Sequence, residues 1–213
     1  MKIPLFLFFI GLAFLFGLIS YQRIKFDYIR WFVPFLAITL GSEICSLMTF
    51  LKIDGRNHWW YNLYTLFEFI FYIIVFRRAF ENKGLKKACT VAIILYSFTF
   101  FINVFFIQGW NHFHTYTYRL GSITIITLCF LYFRQIMKSE TATNPIDIPL
   151  FWISTGLLFF YFGFFIYISA FDFIAYSKIK EYAKLFKFIS NFLNIFLYMF
   201  ITIGIYKSWQ IKT

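Results

Sequence analysis

Charge is what this sequence has least of. Of 213 residues, 14% are Asp, Glu, Lys or Arg, and nine of those are acidic. A water-soluble domain of this length needs more polar cover than that, which excludes an ordinary globular enzyme or soluble binding module. Cysteine is equally sparse. Cys45, Cys89 and Cys129 are odd in number and widely spaced, so they supply neither a disulfide framework nor a metal spacing and read as small apolar side chains. There is no Gly-rich phosphate loop, no Gly-x-Ser-x-Gly elbow and no His-Glu-x-x-His pair. No lysine lies deep in the last apolar run, where Lys187 and Lys207 mark the two ends, and this weighs against a Schiff-base retinal pigment. No connection is long enough to hold a soluble domain.

What the chain has instead is apolar surface. It is 61% hydrophobic and 26% aromatic, with a mean hydropathy of +0.73. The runs are continuous rather than alternating, which argues for membrane-spanning helices and against a β-barrel. Seven runs are long enough to span, at 3–20, 31–50, 59–76, 88–107, 116–134, 148–169 and 186–206. A helix rises about 1.5 Å per residue and the hydrocarbon core is about 30 Å thick, so each crosses with modest tilt. The expected architecture is an all-α, seven-helix transmembrane bundle forming a single domain over 1–213. The first run is expected to stay as an uncleaved helix, because it is long, lacks a small-x-small cleavage pattern and is followed by Arg23 and Lys25.

The basic residues set the expected orientation. Arg23, Lys25 and Arg30, then Arg77, Arg78, Lys83, Lys86 and Lys87, then Arg134 and Lys138, and finally Lys207 and Lys212 fall on one side. The opposite side holds Lys2, Lys52, Arg56, Lys178, Lys180, Lys184 and Lys187. The positive-inside rule then favours N-outside and C-inside. The last lysine group runs against the rule, and the spacing of Ile179, Tyr182, Ala183 and Phe186 predicts an amphipathic surface helix there. The formal net charge of +11 therefore calls for a lipid bilayer and not for nucleic acid. Arg77, Arg78, Lys86 and Lys87 read first as a topogenic loop and second as a lipid or partner site.

Within the spans the polar residues gather at one depth. Glu68 lies about 14 Å below the outer face and Glu43 about 10 Å below it, counted along their helices. Asn62, Asn103, Arg119, Asn191 and Asn194 are shallower, but in the same half. Their helical spacing groups them with Thr39, Ser46, Tyr61, Thr65, Tyr72, Tyr96, Thr99 and Ser122 on stripes that should face away from lipid. A polar outer-half cavity follows, with Glu43, Asn62, Thr65, Glu68, Asn103, Arg119, Asn191 and Asn194 as ligand-binding candidates. Arg119 keeps its charge, so one glutamate is expected to ionise beside it and the other to stay neutral. Locking helices together is the plainer role for each Asn, Ser or Thr, whereas a mid-membrane glutamate reads as functional.

His58, His112 and His114 lie above the glutamates at the outer rim. Three histidines and a carboxylate could bind zinc, but the His-x-His spacing is loose and interfacial histidines beside Trp59, Trp60 and Trp110 explain it as well. No metal and no cofactor is assigned. Gly156 and Gly163, seven residues apart, read as a close-packing face. Two weak internal echoes pair 3–14 with 148–159 and 62–71 with 191–200.

The stretch YNLYTLFEF, Tyr61 to Phe69, resembles the Tyr-Asn-x-Tyr-Thr-x-x-Glu-Phe-like opening of the third helix in small uncharacterised bacterial seven-helix membrane proteins. The resemblance implies a seven-helix fold, a bacterial inner membrane and attention to Asn62, Thr65 and Glu68; it implies no activity. The leading expectation is a protein that binds or transports a small molecule. Two others stand beside it: a receptor or accessory subunit acting through a membrane partner protein, and an intramembrane enzyme using Glu68 as acid or base.

Overall fold

Each apolar run is helical in the computed structural model, which describes residues 4–46, 52, 56–138, 144–174 and 179–211, with backbone alone for 170–174 and 179–183. The main helices are α1 (Leu5–Ser20), α2 (Phe32–Ser46), α3 (His58–Ala79), α4 (Lys83–Ile102), α5 (Thr115–Lys138), α6 (Pro149–Ile174) and α7 (Ile179–Gln210). Among the described residues the chain is all-α, and seven helical stretches are long and apolar enough to cross a membrane, the second of them counted from Asp27 to Ser46.

The places where helices start, break and overrun have local causes. Pro34 has no N–H to give to the Arg30 carbonyl, and the chain turns at Trp31 between a short helix, Asp27–Arg30, and α2. Asn82 caps α4, its Oδ1 accepting from the amides of Gly84 (2.7 Å) and Leu85 (3.2 Å). Helices α3 and α5 run on to Ala79 and Lys138, past the expected ends at 76 and 134. Arg77, Arg78 and Lys138 in their last turns suit a helix C-terminus and carry apolar stems that can cross the hydrocarbon edge.

One expectation changes. The segment from Ile179 is not a separate surface helix: it is continuous with α7, which is 32 residues long. Phe186 belongs to that helix, 5.2 Å from the Tyr167 ring. The side chains of Ile179, Tyr182 and Ala183, and positions 47–50 of the second expected span, lie outside the described residues.

The helices alternate in direction, giving a first rim (starts of α1, α3, α5 and α7) and a second rim at the opposite end. Asn57 Nδ2 donates to the Ser46 carbonyl (3.1 Å) at the first rim. At the second, Lys207 Nζ meets Asp147 Oδ1 at 2.9 Å and Arg23 lies over the Trp209 ring. Helices α6 and α7 form the most extensive pairing, followed by α5 with α6 and α1 with α7. Glycine makes the first of these close. A Cβ on Gly156 would stand 2.7 Å from Phe200 Cβ, and one on Gly163 2.8 Å from Leu193 Cδ1, which puts both on the interface as their spacing predicts. Helix α3 is central, with Phe71 stacked on Phe35 of α2 at 4.0 Å and Phe69 against rings of α4, α5 and α6.

Candidate functional site

Helix α3 carries Glu68 with Tyr64 and Tyr72 one turn to either side, so the 3.6-residue period sets all three on one face. Glu68 is only 6% exposed. Its carboxyl lies within electrostatic reach of six tyrosines drawn from five helices. They are Tyr64 and Tyr72 of α3, Tyr96 of α4, Tyr118 of α5, Tyr161 of α6 and Tyr198 of α7. The neighbouring Phe69 holds the ring cluster together, 5.2 Å from Tyr96, 5.5 Å from Tyr118 and 5.1 Å from Tyr161. Helix α5 comes close because position 121 is glycine: a Cβ there would sit 2.7 Å from Phe69 Cε1.

The hydrogen bonding of this cluster is incomplete. Tyr64 Oη shares a hydrogen bond with Thr39 Oγ1 at 2.8 Å. The Tyr72 hydroxyl is buried without a partner, and that of Tyr161 is turned toward the Glu68 carboxyl. An unpaired buried hydroxyl costs about 1–3 kcal/mol, so the cluster holds polar capacity that the protein does not itself use.

Glu43 belongs to the same neighbourhood. It lies within electrostatic reach of Glu68, and Tyr198 is in reach of both carboxyls. Tyr61 Oη donates to Glu43 Oε2 at 3.3 Å. Glu43 and Glu68 therefore do come together. Arg119 is directed elsewhere, its Nη2 donating to the Ile168 carbonyl of α6 at 2.8 Å and its guanidinium lying over the Tyr116 ring. Tyrosines and Glu43, rather than the expected arginine, form the electrostatic surroundings of Glu68.

The asparagines do different work. Asn62 is fully buried and clamps the α4–α5 connection: its Nδ2 donates to the His112 carbonyl (2.9 Å) and its Oδ1 accepts from the His114 amide (3.1 Å). Asn103 opens a π-helical turn, Asn103–Ile107, and its Nδ2 donates to Gln108 Oε1 at 2.9 Å. Thr65 bonds back to the Asn62 carbonyl of its own helix. Asn191 and Asn194 donate to Lys187 and Ser190 carbonyls one turn back on α7. Such back-bonds satisfy a side chain locally and join no second helix.

His114 completes the first rim. Its Nε2–H donates to the Gly109 carbonyl at 2.8 Å, and Gly109 adopts φ 69°. The bond fixes the tautomer and leaves Nδ1 bare and buried. Burial lowers His114 below the ordinary histidine value, although the Gly109 bond pulls the other way. The His58 ring lies tilted 6.5 Å from that of Phe113, while His112 is exposed, its Nδ1 3.1 Å from the Gln108 carbonyl. Among the described residues, no three His, Cys, Asp or Glu form a group that could hold a metal ion.

Tyr64, Tyr118, Tyr161 and Tyr198 are the residues that sequence reasoning missed. Tyr161 lies twelve residues into α6, too deep for an interfacial belt, and that depth was the available signal. Comparison with protein-family models, curated proteins and solved structures finds no significant match.

Proposed function

We propose that this chain is an integral protein of a bacterial cytoplasmic membrane, oriented N-outside and C-inside, that binds and transports a small molecule at Glu68. The observation carrying the reading is one buried carboxyl within electrostatic reach of tyrosines from five helices, with the Tyr161 hydroxyl turned toward it and the Tyr72 hydroxyl unpartnered. Helix locking alone does not call for it: a titratable group in mid-membrane is costly, and neutral side chains bond helices together more cheaply. A buried carboxyl among tyrosines suits a small ligand with an amino group, which the carboxylate would pair and a tyrosine ring would attract as a cation. Asn62, Asn103 and the His114 turn take the supporting role of closing the first rim above it.

The test is thermal unfolding of purified protein with small amines, amino acids and neutral sugars, in wild type and in Glu68→Gln. The substitution keeps size and much of the hydrogen bonding, so the fold should survive. Amine-bearing compounds should raise the unfolding temperature of wild type and leave Glu68→Gln unmoved. The reading fails if no compound separates the two proteins, or if Glu68→Gln keeps every shift.

A further inference from the structure

A second feature lies at the far end of the bundle from Glu68. Between the start of α4 and the end of α5 there is a cavity of about 530 Å³. Arg134, Gln135 and Lys138 line it from α5, and Glu81, Asn82 and Gly84 from the turn entering α4; Leu85 and Leu131 form its apolar part. We propose that this cavity holds a membrane phospholipid, with the headgroup phosphate at Arg134 and Lys138 and the start of an acyl chain against Leu85 and Leu131.

Depth, charge and rigidity each support the assignment. Lys138 ends α5 at the membrane edge, and Leu131 lies seven residues earlier, about 10 Å deeper at 1.5 Å per residue. Along α5 the lining thus passes from the cationic Lys138 and Arg134 to the apolar Leu131, the order in which a lipid presents phosphate and chain, while Leu85 flanks the entrance two residues into α4. Arg134 and Lys138 are four residues apart and share a helix face. Together with Glu81 they give the lining two positive charges and one negative, a net +1 that matches a single phosphodiester. Basic pockets between helix ends are a recurrent setting for lipid headgroups. The walls are fixed by hydrogen bonds: Gln135 Oε1 accepts from the Glu81 amide (3.0 Å), its Nε2 donates to the Ala79 carbonyl (3.3 Å), and Asn82 caps α4. The basic pairs singled out by the sequence are placed differently. Arg77 bonds Thr90, Arg78 lies over Trp31, and Lys86 and Lys87 are exposed outside the lining.

The experiment adds phosphatidylglycerol to delipidated full-length protein and measures retained lipid by native mass spectrometry. Arg134→Gln/Lys138→Gln should weaken retention by at least about tenfold, while the charge-matched Lys86→Gln/Lys87→Gln should change it less than about twofold. Leu131→Trp, which fills the cavity and keeps both cations, should also lose the lipid, and it carries the test alone if the double variant fails to fold. Millimolar inorganic phosphate should not displace the lipid. Equal weakening by the two charge pairs would mean diffuse surface attraction and would overturn the proposal. So would retention by folded Leu131→Trp, or displacement by inorganic phosphate, which would mark a site for a soluble anion.

Discussion

Single side chains at the first rim carry a pH dependence that follows from burial. His114 is 2% exposed, its Nε2–H is committed to Gly109, and its Nδ1 has no acceptor to receive a proton. Protonating the folded state therefore places a new N–H, and a charge, where neither is solvated. The folded value lies below that of the unfolded chain, which is about 6.5 for histidine. Above that value both states are neutral and His114 costs nothing. As pH falls through it, the unfolded chain takes up the proton more readily and stability drops until the folded value is passed. Thermal unfolding of wild type and His114→Gln across roughly pH 5 to 8 isolates the effect, because every other side chain is common to the two proteins. The wild type should lose stability relative to the variant on the acid side alone. A difference that stays flat with pH would show that burial does not hold this imidazole neutral.

Between elements, glycine separates packing from propensity. A Cβ on Gly204 of α7 would meet Ile153 Cγ1 at 2.5 Å and the Pro149 carbonyl oxygen at 2.8 Å, and a backbone atom cannot rotate away. A Cβ on Gly11 of α1 meets nothing within 4 Å. Gly204→Ala should thus force α6 and α7 apart and destabilise by about 1–3 kcal/mol, the range of overpacked cores. Gly11→Ala should stabilise by up to about 1 kcal/mol, from helix propensity alone. Opposite signs in thermal unfolding are expected; a stabilised Gly204→Ala would mean that the helices are not in contact as described. The contrast also marks what the sequence could reveal. Continuous apolar runs, the break at Pro34 and the Gly156–Gly163 face are local patterns, and local patterns survive in one dimension. The clamp of Asn62 on His112 and His114 joins residues 50 and 52 positions apart, and nothing in an amide side chain announces which backbone it will meet. Equal depth suggests a pair between Arg119 and a glutamate, but depth does not fix direction around a helix, and its guanidinium turns to α6. Tyr161 and Tyr198 were hidden among fifteen tyrosines whose ordinary place is the membrane interface.

Across the whole molecule the two ends differ in chemistry, and the difference argues for one orientation. Arg23, Arg78, Arg134 and Lys207 collect at the second rim, some of them over tryptophan rings or paired with acid. The first rim holds fewer cations, Arg56, Lys184 and Lys187 among them, and its closure is made by neutral groups: the buried Asn62, the His114 turn and the Asn103–Gln108 bond. A basic rim is retained on the cytoplasmic side during insertion and meets anionic lipid there, so the second rim should face inward. Lys83 and Asn111 are exposed at opposite rims and suit single-cysteine labelling after Cys45, Cys89 and Cys129 are replaced. Lys83 is preferable to its neighbour Asn82, whose loss would also remove the α4 cap, worth about 1 kcal/mol. With a membrane-impermeant maleimide, Asn111→Cys should react in intact cells and Lys83→Cys only after permeabilisation. The reverse pattern would turn the molecule over, placing the first rim toward the cytoplasm and the phospholipid cavity in the outer leaflet. Reaction of both from one side would be more damaging, because an odd number of crossings separates the two positions only if α4 spans the membrane. The seven-span arrangement itself would then have to be abandoned.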